Sequence, residues 1–273
     1  MIIVAGGDSF IYGSELADCN GDYSRNTFTA LLAKQYEYQC VAWPGSGNDA
    51  IARRVITECE AMLPERPFVV VNWTFPGRYE FRFNYHTGQR TENWYSINAW
   101  TIEQDPKRIE REFVTENKNI LDFHVATIKR AQQTGVADFA KTFYQHVGDS
   151  EYWEVYSSLK EIVYLQNYLK ANSIDYMFTC ADNSIWYNYT INNADMTIHS
   201  LTAQIHKDQE HWFWFPAGVG SNQTEQPRGF YQWALENKYP VGTTHPLEQA
   251  HVDAAELMKD KFNELVTKSI QQN

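Results

Sequence analysis

Three short stretches hold residue types that can work on a bound molecule: GGDSF at 6–10, PGSGN at 44–48 and THP at 244–246. Ser9 is the nucleophile candidate. A hydroxyl attacks a carbonyl only when a neighbouring base takes its proton. A serine where a strand gives way to a helix is exposed, with unpaired backbone N–H groups beside it. The same serine could equally be an N-cap beside a glycine turn, with Asp8 bracing that turn by accepting backbone hydrogen bonds. In PGSGN, Gly45 and Gly47 let backbone donors come close to a ligand. Asn48 either adds its amide to them or only caps the helix that follows. Of eight histidines, His245 is the base candidate. Pro246 biases it to extended backbone, and its imidazole can take the Ser9 proton and return it to a leaving alcohol. His251 falls one turn into the next helix, where a structural role fits. GSGN lacks the spacing and terminal Lys-Ser/Thr of a phosphate-binding Walker loop, and GGDSFIYG is not a dinucleotide GxGxxG turn.

These groups meet only if the elements between them bring them together. Ile2, Ile3, Val4 and Ala5 read as a short buried strand. NTFTALLAKQYEYQ has helical periodicity, with Asn26 as N-cap and Phe28, Leu31, Leu32 and Tyr36 on one face. YQCVAW reads as a second strand. Asn48 or Asp49 then opens a helix carrying Ile51, Val55, Cys59 and Met62 at i, i+4 spacing, and FVVVNWT follows as a continuous apolar strand. This alternation predicts a parallel sheet covered on both faces. The ends of parallel strands converge on one edge, where ligands bind. The first two turns follow strands and reach that edge; the third precedes the last helix and must fold back over it.

Further along, 76–106 is aromatic, polar and irregular, with YEFRFNY alternating as a hairpin strand or flap. A helical region is expected over roughly 107–134, a second over SEYWEVYSSLKEIVYLQNYLKAN, a strand at IDYMFTC and a closing amphipathic helix at HVDAAELMKDKFNELVTKSIQQ. The expectation is one domain over 1–273 with insertions near 76–106 and 182–235. HWFWF and FYQW are dense in aromatics, which points to core or oligomer contact, or to rings lining a sugar or acyl site. His199, His206 and His211 do not form an HExxH pattern, and no zinc site is expected.

The chain has 273 residues, a net charge of −11, 43% hydrophobic and 15% aromatic residues. That size and composition suit a packed α/β domain and exclude a mainly disordered chain. The negative balance argues against nucleic acid and anionic membranes as partners. No window approaches the ~20 apolar residues of a membrane span. The first residues lack a basic lead, and the four cysteines lack CxxC spacing. The expectation is a cytoplasmic protein with reduced thiols.

GDSF, PGSGN and the late THP segment, in that order along the chain, resemble the blocks of the SGNH hydrolases, the GDSL-type esterases and lipases. The resemblance implies a three-layer α/β/α sandwich of flavodoxin-like topology, with a mostly parallel five-stranded sheet, and cleavage of carboxylic esters without a cofactor. It assigns Ser9 as nucleophile, His245 as base, and the oxyanion donors to Ser9 and Gly45 (or Gly47), with Asn48 beside them. Two features depart from the family pattern. The third block, Gly-x-Asn-Asp, is absent near VVVNWTFPGR, where Asn72 comes early and Trp73, Thr74 and Arg78 stand as candidate substrate-binding residues. The acid usually found two or three residues before the histidine is replaced by Gly242 and Thr243. Asp182 and Glu248 are the candidate orienting acids, or else a Ser-His dyad works alone. The leading expectation is an esterase acting on a small-molecule or carbohydrate ester. An inactive module of the same fold, binding glycans or proteins, is the alternative, and a homo-oligomer is a third expectation.

Overall fold

In the computed structural model, the residues described are 1–83, 94–102, 118–187, 195–217 and 228–272. At its centre lie four parallel strands: β1 (Ile2–Gly6), β2 (Glu37–Cys40), β3 (Phe68–Trp73) and β6 (Tyr176–Cys180), in the order β2-β1-β3-β6. Ile3 pairs with Tyr38 on one side and Phe68 on the other, and Val70 pairs with Met177. Where the family resemblance implies a fifth strand, the chain makes a single parallel bridge from Phe178 to Trp212. The Phe213 N–H donates to the Phe178 carbonyl at 2.8 Å.

Successive residues of a strand face opposite ways, and both faces of this sheet are apolar. Ile3, Ala5, Phe68, Val70 and Met177 face one layer, packed under α2 (Phe28–Leu32), α10 (Phe230–Glu236) and α11 (Glu248–Gln272). Val4, Val69, Val71, Trp73, Tyr176 and Phe178 face the other, under α3 (Asn48–Met62), α7 (Glu151–Ala171) and α9 (Met196–His206). The result is the expected α/β/α sandwich. Gly6 explains part of the opening glycine pair. A Cβ there would lie 2.4 Å from the Val55 side chain, so α3 could not sit this close to β1 with any other residue.

Two local expectations are corrected. Thr27, not Asn26, caps α2, its hydroxyl accepting from the Ala30 N–H. Gly47 is the residue before α3, so Asn48 is the first helical residue rather than its cap. The alternating YEFRFNY segment does make a hairpin: β4 (Tyr79–Arg82) pairs antiparallel with β5 (Trp94–Ile97). Its last two residues lie outside the described residues, as does the first part of the helix expected over 107–134, which is described as α5 (Lys118–Gln133). The hairpin, α5 and α6 (Val136–Phe143) share a third small core built on Tyr79, Ile97, Ala131, Val136, Ala140 and Tyr144. A short helix, α4 (Ala99–Ile102), follows the hairpin directly.

Candidate active site

Ser9 opens α1 (Ser9–Tyr12) immediately after the first strand, at the carboxyl edge of the sheet. Asp8 caps that short helix. It is wholly buried and accepts from the Phe10 N–H at 3.1 Å, from the Thr74 hydroxyl at 2.6 Å and from Arg78 Nη1 at 2.9 Å. A buried carboxylate without partners would be very costly. The three donors hold Asp8 and so fix the turn that presents Ser9.

The two ends of the chain meet here. His245 Nε2 lies 2.7 Å from Ser9 Oγ, across 236 residues of sequence. A tight turn holds the histidine: Val241 bridges Pro246, and the Gly242 N–H donates to the His245 carbonyl at 2.9 Å. The ring packs edge-on against Phe10, centroids 5.0 Å apart.

The acid beside His245 is Glu15, which sequence reasoning missed. Its Oε1 lies 2.7 Å from His245 Nδ1. The Thr243 and Thr244 N–H groups and the Thr244 hydroxyl donate to the same carboxylate. Burial alone would raise the Glu15 pKa, but the hydrogen bond and charge of His245, with the two threonines, pull it below the ordinary carboxylate value. Gly242 is part of this cradle, because a Cβ there would lie 2.1 Å from Glu15 Oε2. The residues that stand in place of the family's acid therefore receive an acid from another loop.

The other acid candidates are placed elsewhere. Glu248 accepts from the Ala17 N–H at 2.8 Å, tying α11 to the loop that carries Glu15. Asp182 accepts from the Ser184 N–H at 2.6 Å, at the start of α8 (Ser184–Tyr187). Neither bonds His245. Of the expected substrate-binding trio, Trp73 and Thr74 are corrected. Trp73 and Thr74 are wholly buried, Trp73 against Phe178 beneath the sheet edge. Thr74 is spent on Asp8 and Asn48. Arg78 keeps partial exposure while bonding Asp8 and Thr74, and its guanidinium lies over the Phe75 ring.

Asn48, expected to face a ligand, is almost wholly buried with its amide set against the Thr74 backbone. Its Oδ1 accepts from the Thr74 N–H at 2.9 Å and its Nδ2 donates to the Thr74 carbonyl at 3.3 Å, stitching α3 to the end of β3. Gly45 adopts φ +78°, in the left-handed region that favours glycine. Its turn sits beside the Ser9 turn, since the Trp43 N–H donates to the Gly7 carbonyl at 3.2 Å. Next to Gly45 lies Asn98, whose Nδ2 is 3.9 Å from where a Gly45 side chain would begin. Nothing in the local sequence marked that residue.

Half-buried Phe75 and Tyr231 both pack against Phe10, at 6.1 and 5.5 Å, and give the site an aromatic wall. Trp43 stands exposed at the end of β2, edge-on to Tyr12. His251 is buried in the core, its Nδ1 accepting from the Phe28 N–H at 3.2 Å. Desolvation, helped by nearby His245, lowers its pKa to about 3. Away from this edge, Asp208, Glu210 and His211 come together among the described residues. Asp208 there accepts from Tyr176, Lys170 and His211, an ion-pair network that runs from the buried Asp208 to the surface.

No protein-family model and no curated protein matches the chain. Solved structures similar to it include a GDSL-like lipase from Bacteroides thetaiotaomicron, at 13% identity and a TM-score of 0.41, covering 96% of this chain and 88% of that one. The psychrotrophic esterase EstA from a Pseudoalteromonas species matches at 12% identity and a TM-score of 0.39, covering 99% and 98%. The acetyl xylan esterase Est2A from the rumen bacterium Butyrivibrio proteoclasticus matches at 11% and 0.44, covering 97% and 64%.

Proposed function

We propose that the protein is a serine hydrolase of SGNH type that cleaves a carboxylic ester, with an acyl group carried by a carbohydrate as its substrate class. The observation that carries this reading is the unbroken series Ser9 Oγ, His245 Nε2, His245 Nδ1 and Glu15 Oε1, each contact 2.7 Å. With Nδ1–H donating to Glu15, Nε2 is left as the acceptor that Ser9 needs.

In this reaction Ser9 Oγ attacks the acyl carbonyl as its proton passes to His245 Nε2. Glu15 stabilises the imidazolium so formed. The backbone N–H groups of Ser9 and Gly45 hold the tetrahedral oxyanion. His245 then gives its proton to the departing alcohol, leaving the acyl group on Ser9. Water, deprotonated by His245, attacks that ester and releases the carboxylic acid, and the proton returns to Ser9. Half-buried Phe75 and Tyr231 offer an apolar wall for the acyl chain, and exposed Trp43 offers a ring on which a sugar face can stack.

The alternative of an inactive binding module drew on two missing roles, the third-block asparagine and the orienting acid, and the position of Glu15 beside His245 answers the second. The test is covalent. A fluorophosphonate should label Ser9 stoichiometrically, with labelling lost in Ser9→Ala and strongly slowed in His245→Ala. Folded protein that neither labels nor cleaves p-nitrophenyl acetate or acetylated sugars would end this assignment.

A further inference from the structure

We propose that Asn98, carried in by the β4–β5 hairpin, supplies a side-chain N–H to the oxyanion site and so stands among the catalytic residues. The inference rests on the serine hydrolase reading and names a donor that the sheet itself does not provide. Asn48, the side-chain amide on the adjoining helix, is bonded at both ends to the Thr74 backbone. Asn72 is wholly buried in β3. Asn98 instead comes to the open side of the glycine turn, its Nδ2 3.9 Å from the position a Gly45 Cβ would take.

Its orientation is held. Asn98 Oδ1 accepts from the Thr101 N–H at 3.2 Å and from the Thr101 hydroxyl at 3.3 Å. The Asn98 N–H donates to Thr101 Oγ1 at 3.1 Å. Thr101 is buried, so these bonds are shielded from water. With the amide oxygen turned to the start of α4, the NH2 end is the one directed away from it. A donor already aimed before substrate arrives costs no reorganisation during the reaction.

The hairpin that delivers Asn98 is fastened to the same core as Ser9. Asp49 at the start of α3 accepts from the Glu80 N–H at 2.6 Å. Arg53 pairs with the Glu80 carboxylate at 2.6 and 2.9 Å and stacks on Trp94. The Tyr144 hydroxyl meets the carbonyls of Gly77 at 2.6 Å and Ile97 at 3.2 Å, closing the base of the hairpin one residue before Asn98. Gly47 packs directly on the Arg78 carbonyl, and Arg78 bonds Asp8 beside Ser9. The donor and the nucleophile are thus held in one frame, and the hairpin is part of the site.

A structural role alone would make Asn98 only the cap of α4. Asp and Ser cap helices as well as Asn but lack the amide N–H, so Asn98→Asp and Asn98→Ser separate the two roles. With p-nitrophenyl acetate, both variants should keep the wild-type melting temperature within about 2 °C. In both, kcat should fall roughly 10²- to 10³-fold with KM little changed, and fluorophosphonate labelling of Ser9 should slow in parallel. Asn98→Ala, which loses the cap too, should lose activity to the same degree. If active wild-type protein is matched in kcat by folded Asn98→Ser, the Asn98 role falls while the hydrolase reading stands. Wild-type protein that neither labels nor hydrolyses overturns both.

Discussion

Replacing Glu15 by Gln keeps the shape of the carboxylate and removes its charge. Thr243 N–H, Thr244 N–H and the Thr244 hydroxyl all point at this group. The Gln carbonyl will therefore take the Oε1 place, where three donors including His245 converge, and the NH2 in the Oε2 place loses the hydrogen bond that Thr243 N–H gives the carboxylate. His245 then keeps its tautomer and loses only the counter-charge for its protonated form. From the 2.7 Å contact, the charge centres lie ~4 Å apart. At an effective dielectric of ~20, suited to a partly buried pair, their attraction is about 4 kcal/mol. At about 1.4 kcal/mol per factor of ten, kcat should fall roughly 10³-fold with KM nearly unchanged. The assay is steady-state hydrolysis of p-nitrophenyl acetate, with thermal melting as the check on folding. A folded Glu15→Gln protein within about threefold of wild-type kcat would refute the three-residue relay, since that corresponds to well under 1 kcal/mol.

Other perturbations probe the supports. Gly242→Ala should move the Glu15 carboxylate, because its Cβ would lie 2.1 Å from Oε2 on an exposed loop. kcat should drop on the order of 10²-fold with little change in melting temperature. Arg78→Met leaves wholly buried Asp8 with only Thr74 and the Phe10 N–H as donors. Partial exposure of Arg78 keeps the cost near the lower end for a broken pair, about 2–3 kcal/mol by urea unfolding. Asp8→Asn in the same protein should restore part of it. His251 is held neutral by burial, with a native pKa of about 3 against an ordinary 6.5. Between those values the unfolded chain binds the extra proton, so stability is complete above about pH 6.5 and drains as pH falls, by up to ~1.4 kcal/mol per unit. His251→Gln, which keeps an acceptor for Phe28, should flatten that slope in melts run from pH 7 to pH 4; an unchanged slope would refute it.

Much of this site was legible along the chain. Strands and helices alternate with clear periods, so the parallel sheet and its two covered faces follow from hydrophobic pattern alone. Ser9 and His245 stand in short motifs at an element boundary and before a proline, where local chemistry marks them. Glu15 has no such marker. It lies in an irregular loop after Ser9, and the place where an acid is usual reads Gly242-Thr243, which looks like a loss. Only the closing of the chain shows that Gly242 leaves an opening and Thr243 an N–H donor, with a second N–H from Thr244, for a carboxylate from the other end. The signal that could have found it is an acid on a loop close behind Ser9, but any surface glutamate has the same appearance.

The polar candidates near the third strand were misread for a related reason. Residue type states what a group can bond, and the fold decides whether the bond is already taken. Trp73, Thr74 and Asn48 were consumed by packing and by the Asp8 and Thr74 networks, which no local pattern displays. Taken by itself, the amino-acid order determined the layers, the sheet and the two candidate side chains Ser9 and His245, because those follow from patterns and preferences local to each segment. The acid partner, and the arrival of Asn98 beside Gly45, were decided by tertiary structure. Each joins segments whose separation in sequence carries no trace of their meeting in space.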